Sequence, residues 1–155
     1  MAATHHTRTF IAASLLTAVA AISTAPSGYA DPISTLAEAV NTARAASNCP
    51  PLQRDTLVER GAQMANKSTS DYINLRSAAV PFTDPMPALK TIGYPGEGKG
   101  LVLAGYGVSE ADALRALILQ YRAFKPDCSY TQAGVDAMRD PAGFNLASAV
   151  LTAPA

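Results

Sequence analysis

The stretch from Leu101 to Leu151 leaves this chain the fewest options. Leu101-Val102-Leu103-Ala104-Gly105-Tyr106 is a short apolar run with β-branched and aromatic residues, ended by Gly105 and Gly107, and it reads as a buried strand. A helix follows at once. Ser109 is placed to cap it, Asp112 stands three residues on as the acidic half of a capping-box-like pair, and Glu110 and Asp112 put negative charge at the positive end of the helix dipole. The apolar positions Ala113, Leu114, Leu117, Ile118 and Tyr121 recur at helical spacing. Lys125-Pro126 ends the helix, because the residue before a proline is pushed out of helical angles. Two strand-like runs follow, Tyr130 to Met138 and Phe144 to Leu151, around Arg139-Asp140-Pro141-Ala142-Gly143, a Pro- and Gly-containing hairpin loop.

Upstream the pattern is helical. Asp31-Pro32 opens a helix with apolar positions Ile33, Leu36, Ala37, Val40 and Ala43 or Arg44, and Pro32 suits its first turn. Ser47-Asn48-Cys49-Pro50-Pro51 breaks it, Asn48 suiting a terminal cap, so Cys49 falls in a loop. A second helix begins near Asp55 or Thr56, with Thr56 and Glu59 as a capping box and Leu57, Val58, Gly61, Ala62 and Ala65 on one face. Lys67-Ser68-Thr69-Ser70 reads as a polar break before a further short helix carrying Tyr72, Ile73 and Leu75. From Pro81 to Gly100 prolines and glycines dominate, with at most one helical turn at Pro87 to Ile92, and Tyr94-Pro95-Gly96-Glu97-Gly98 is expected to be the exposed part. Helices first, then a strand, a helix and a hairpin make an α+β order, predicting helices packed on a small antiparallel sheet.

Residues 1–30 are excluded from that reasoning. His5, His6 and Arg8 form a weakly positive start, Phe10 to Ile22 is apolar, and Gly28-Tyr29-Ala30 offers small residues before Asp31, as a cleaved secretory signal does. The apolar run falls short of the about 20 residues a membrane-spanning helix needs, so a transmembrane anchor is not expected. Residues 31–155 then form one domain, of a size suited to a single core. That segment carries eleven basic and twelve acidic residues without clusters of either sign, which argues against nucleic acid or anionic lipid as partners. Export places Cys49 and Cys128, the only cysteines, in an oxidising compartment, where one disulfide is the simplest outcome.

Several short pieces in a fixed order carry a resemblance: Val40-Asn41-Thr42-Ala43-Arg44 before Pro51-Leu52; Leu57 with Ala62 and Ala65; Gly93-Tyr94; Glu110 to Leu114; and Tyr130-Thr131-Gln132-Ala133-Gly134-Val135. With them, residues 36–150 resemble a divergent bacterial CAP domain, the superfamily of SCP, cysteine-rich secretory, antigen 5 and pathogenesis-related-1 proteins. The resemblance implies an α-β-α sandwich, with about three to four helices on the sheet. Many CAP domains hold two His and two acidic residues in a cleft. This chain departs from that pattern, with no histidine after His6. Asn66 to Asn74 stands where one His is expected after the second helix, and Lys125-Pro126-Asp127-Cys128 where the other is expected.

Without those histidines, and with both cysteines bonded, neither a tetrahedral zinc site nor a Ser-His-Asp or Cys-His pair can be assembled, so no metal, cofactor or catalytic residue is assigned. Two carboxylates can still hydrolyse a glycosidic bond, and Glu97 with Glu110 are the available pair. Tyr94 and Tyr106 flank glycines in or beside the long loop, where a tyrosine can hydrogen-bond a ligand or hold haem, although burial of Tyr106, Tyr121 and Tyr130 with wet hydroxyls is the plainer expectation. The leading reading is a secreted, non-enzymatic binding module for a small apolar ligand, a lipid or sterol, or for an extracellular protein partner, through Tyr94, Glu97 and Tyr106. The alternatives are a carboxylate hydrolase of a cell-wall polymer and a tyrosine-ligated haem carrier.

Overall fold

The computed structural model describes residues 31–154. The expected signal segment, residues 1–30, lies outside the described residues. In chain order the elements are α1 (Pro32–Ala45), β1 (Gln53–Arg54), α2 (Thr56–Ile73), α3 (Met86–Thr91), β2 (Lys99–Gly107), α4 (Glu110–Phe124), β3 (Gln132–Arg139) and β4 (Asn145–Ala153). They form three layers. The sheet has strand order β1-β3-β4-β2, with β4 antiparallel to both β2 and β3. One face carries α1 and α4, and the other carries α2 and α3.

The expected α-β-α sandwich is therefore present, with one correction: the sheet is mixed. Gln53 and Arg54 pair in parallel with Gln132 and Ala133 of β3. Two polar, exposed residues followed directly by a helix cap carry no strand periodicity, so only the tertiary pairing defines β1. All nine residues of β4 are buried, as a central strand covered on both faces must be. Ala147, Ala149 and Leu151 pack under α1 and α4 with Leu103, Leu117 and Tyr121, while Val150 packs under α2 and α3 with Val58, Ala62 and Leu89. Its polar residues are satisfied: Ser148 Oγ donates to the Ala62 carbonyl at 2.7 Å, and Thr152 Oγ1 accepts from Tyr94 at 2.9 Å.

Local chemistry explains the helix ends. Ser109 Oγ accepts from the Asp112 amide at 3.2 Å, as its position predicts, and Lys125 closes α4 in the left-handed conformation with φ 48°. At α2 the capping residue is Asp55 rather than Thr56: its carboxylate accepts from the Leu57 and Val58 amides at 2.8 and 3.0 Å. The expected break at Lys67 to Ser70 does not occur, and α2 runs through it to Ile73. The polar run is held by partners outside its own sequence window. Asn66 donates to Asp136 Oδ2 at 2.7 Å, and Ser70 and Asn74 donate to Asp140 Oδ2 at 2.5 and 2.6 Å, fastening the end of α2 to the β3–β4 hairpin. The Ser70 hydroxyl, with the Ala142 amide and Asn74, draws the buried Asp140 carboxyl below its ordinary pKa.

Candidate functional site

Cys49 and Cys128 are bonded, with Cα atoms 5.2 Å apart, and the link joins the loop after α1 to the loop after α4. Beneath it lies Arg44, which the helical rhythm offered only as an alternative to Ala43. Arg44 is 1% exposed. Its guanidinium donates to the carbonyls of Pro50 and Tyr130 at 2.5 Å each, and to those of Cys128 and Asp127 at 3.3 and 3.4 Å. A planar fork of five donors suits this role, since it can reach carbonyls on two loops at once. On the outer side Lys99 pairs with Asp127 at 2.8 Å and sits 4.7 Å from the centre of the Tyr130 ring. Lys99 and Ser129 hold the Asp127 carboxyl well below the usual carboxylate range.

The residues expected to bind a ligand are not gathered in one place. Tyr94 is 5% exposed, against the expectation of an exposed loop tyrosine, and its hydroxyl hydrogen-bonds Gln132 Oε1 at 2.6 Å and Thr152 at 2.9 Å. Glu97 is exposed, pairs with Lys90 at 2.9 Å, and shares with Tyr94 a shallow depression of about 320 Å³ bordered by Asp55, Gln132 and Pro154. Tyr106 stands at the far end of β2 and is 63% exposed, where a buried ring was expected; it meets Phe144 edge-on with ring centroids 6.4 Å apart. Glu97 precedes β2 and Glu110 follows it, so roughly 27 Å of strand separates them, several times the about 5–9.5 Å of a glycosidase pair. Among the described residues, no three His, Cys, Asp or Glu side chains gather where they could hold a metal ion.

The concave surface lies instead along the seam of α1 and α4. The outer face of α1 presents Thr35, Glu38, Ala39, Thr42 and Ala43, mostly small residues that leave space against α4, with Ala46 just past its end. The result is a furrow of about 920 Å³, walled on the α4 side by Ile118, Tyr121, Arg122 and Lys125 and ending at the disulfide. At Thr35 it meets a second hollow of about 380 Å³, lined by Leu36, Ala113, Leu114, Met138 and Leu146, with Glu110 and Arg139 at its rim. Both volumes fall in the range of small-molecule sites. Tyr121 is 1% exposed, and its hydroxyl has no hydrogen-bond partner among the described residues, against the expectation of a wet hydroxyl. Arg122 and Lys125 form no ion pair among the described residues, and Glu38 and Asp127 line the same furrow, so side chains of both signs border it. The furrow was not legible in advance: it depends on which helix pairs with which, and small residues on a helix face give no signal by themselves.

No protein-family model matches the sequence, and no curated protein does. Solved structures do match. An outer surface protein from Borrelia burgdorferi superposes with a TM-score of 0.59 at 12% identity, over 77% of this chain and 90% of that one. A cysteine-rich secretory protein from Staphylococcus aureus superposes with a TM-score of 0.58 at 17% identity, over 79% of this chain and 38% of that one. An extracellular SCP-domain protein from Bacillus anthracis superposes with a TM-score of 0.50 at 16% identity, over 78% of this chain and 40% of that one. The present chain therefore spans about two fifths of the latter two proteins. With its layers, its strand order and these superpositions together, the chain has a CAP-like fold.

Proposed function

We propose that the chain is an exported, non-enzymatic CAP-like module that holds a small apolar molecule, a lipid or sterol, in the furrow between α1 and α4. The observation that carries this reading is the furrow itself: about 920 Å³ of concave space whose wall includes Ala39, Ala43, Ala46, Ile118 and the Tyr121 ring, with Glu38, Arg122, Lys125 and Asp127 as its charged side chains. Such a site has a wall more apolar than polar for a hydrocarbon body, and charged groups that can orient a polar end. Export agrees with the printed descriptions of two fold relatives, one secretory and one extracellular, and with the signal-like residues 1–30. It predicts a mature chain beginning at Asp31, read directly by intact mass.

The test is a titration of the protein with fluorescent long-chain acyl and sterol probes, repeated with Ala43→Trp and Ile118→Glu, which fill or charge the furrow. Saturable binding that weakens at least about tenfold in both variants supports the reading. Probe binding indifferent to both variants, or absent altogether, overturns it. Glu97→Gln and Tyr106→Ala are run alongside: a loss confined to them moves the ligand to the loop and strand-end residues expected from sequence.

A further inference from the structure

The end of the α1–α4 furrow is built from two short segments, with Ala46, Ser47 and Cys49 following α1 and Lys125, Pro126 and Cys128 following α4. Each segment is hydrogen-bonded to its own helix. The Ser47 and Asn48 amides donate to the Arg44 and Ala45 carbonyls at 2.9 and 3.0 Å, and the Lys125 amide donates to the Tyr121 carbonyl at 2.9 Å. Among the described residues no hydrogen bond or ion pair joins one segment to the other, so the Cys49–Cys128 bond is their link. The short hydrogen bonds of Arg44 grip the chain beyond each cysteine, at the Pro50 and Tyr130 carbonyls.

Both segments carry a residue in a disfavoured backbone conformation. Asn48 and Lys125 have φ of 56° and 48°. That region is sterically poor for a side chain, less so for Asn than for Lys, and it persists where the surroundings hold it. Asn48 stands directly before Cys49, and Lys125 stands just upstream of Cys128, so each segment has a hinge beside the bond. The bond is also open from one side. Cys49 is 8% exposed, whereas Cys128 is exposed, so a thiolate from solvent reaches Cys128 Sγ and makes Cys49 the leaving group.

We propose that the Cys49–Cys128 disulfide is a redox gate on the furrow. Oxidised, it holds the end wall together and the apolar ligand in place; reduced by a dithiol, it frees the two segments to move about Asn48 and Lys125, and the ligand leaves. Such a gate presupposes the ligand in the furrow, the reading proposed above. One thiolate of the dithiol attacks Cys128 Sγ, a mixed disulfide forms as the Cys49–Cys128 bond breaks, and Cys49 leaves as a thiolate that takes up a proton. The second thiolate of the reductant then displaces Cys128, which is protonated in turn. The protein has gained two electrons and two protons, and the dithiol has closed to its own disulfide. The Arg44 hydrogen bonds do not depend on the bond, so the fold outlasts its reduction.

The test compares the oxidised protein with the same protein held in dithiothreitol and with a Cys49→Ser, Cys128→Ser double variant. A fluorescent long-chain acyl probe should bind the oxidised protein saturably and the other two at least about tenfold more weakly, and reoxidation of the wild type should restore the affinity. Without any probe, NMR hydrogen exchange at the Asn48 and Lys125 amides should speed up at least about tenfold on reduction, while the Leu103 and Ala149 amides of the sheet are unchanged. Equal affinity of the oxidised and reduced forms, or unchanged exchange at Asn48 and Lys125, overturns the gate and leaves the lipid reading standing. Loss of the circular dichroism of the fold on reduction overturns it too, since the bond is then structural only. Absence of saturable binding by the oxidised protein strikes the furrow as ligand site, and the gate with it. The reduced wild type keeps the test decisive if the double variant does not fold.

Discussion

Replacing Arg44 with methionine removes the one group that fastens α1, the Pro50 loop and the Asp127 to Tyr130 loop together without the disulfide. Of its four contacts, the two at 2.5 Å count as full charge-assisted hydrogen bonds, and the two at 3.3 and 3.4 Å contribute little. Two such bonds at about 1.5–3 kcal/mol each give about 3–6 kcal/mol, and the carbonyls of Pro50 and Tyr130 lose their donors as well. Part of this is returned, because a guanidinium with no carboxylate partner is costly to bury. The expected net loss is about 3 kcal/mol, or roughly 10 °C in Tm for a domain of this size. Urea denaturation followed by circular dichroism, with the disulfide intact, measures it. Arg44→Lys should recover little, since one ammonium cannot reach carbonyls on both loops. The same two loops are joined by Cys49 and Cys128, whose closure of a 79-residue separation is worth about 4 kcal/mol. Losses from Arg44→Met and from removing both cysteines should therefore combine non-additively. A loss under about 1 kcal/mol in the oxidised protein, with an unchanged denaturant slope, refutes the clamp.

Tyr121→Phe deletes a buried hydroxyl that has no partner, so stability should change by less than about 0.5 kcal/mol or rise slightly; a loss above about 1.5 kcal/mol means the hydroxyl is satisfied. Asp140 should make the protein acid-sensitive. Its folded pKa lies below the ordinary 3.8, chiefly through the Ser70 hydroxyl, so its contribution is complete above that value and is lost as pH falls through the lower folded value. Stability of wild type measured from about pH 5 down to pH 2 should fall more steeply than that of Asp140→Asn, and parallel curves would contradict the assignment.

What the sequence made legible was what local chemistry decides alone. Ser109, Asp112 and Lys125-Pro126 bound α4 in any context, and the periodicity of Val58, Ala62 and Ala65 marks the buried face of α2. The misreadings fall where distant residues decide. The run from Lys67 to Ser70 looks like a helix break until Asp140 arrives from the hairpin to accept from Ser70. Tyr94 looks exposed between glycine and proline until Gln132 and Thr152 take its hydroxyl. Tyr106 looks like core until its end of the sheet proves uncovered, and β1 has too few residues to show any period. The absence of histidine after His6 was readable at once, whereas the furrow required knowing that α1 and α4 lie side by side.

The central claim is that an apolar molecule sits between α1 and α4. Methyl NMR of the protein titrated with a sixteen-carbon fatty acid and with a sterol tests it most directly. The account predicts saturable shifts in the methyl groups of Ala39, Ala43, Leu114 and Ile118, which face the furrow and the hollow beside it, with those of Val58, Ala62 and Leu89 on the opposite face unmoved. Shifts centred on the α2 and α3 face, or no saturable shifts with either ligand, would contradict it.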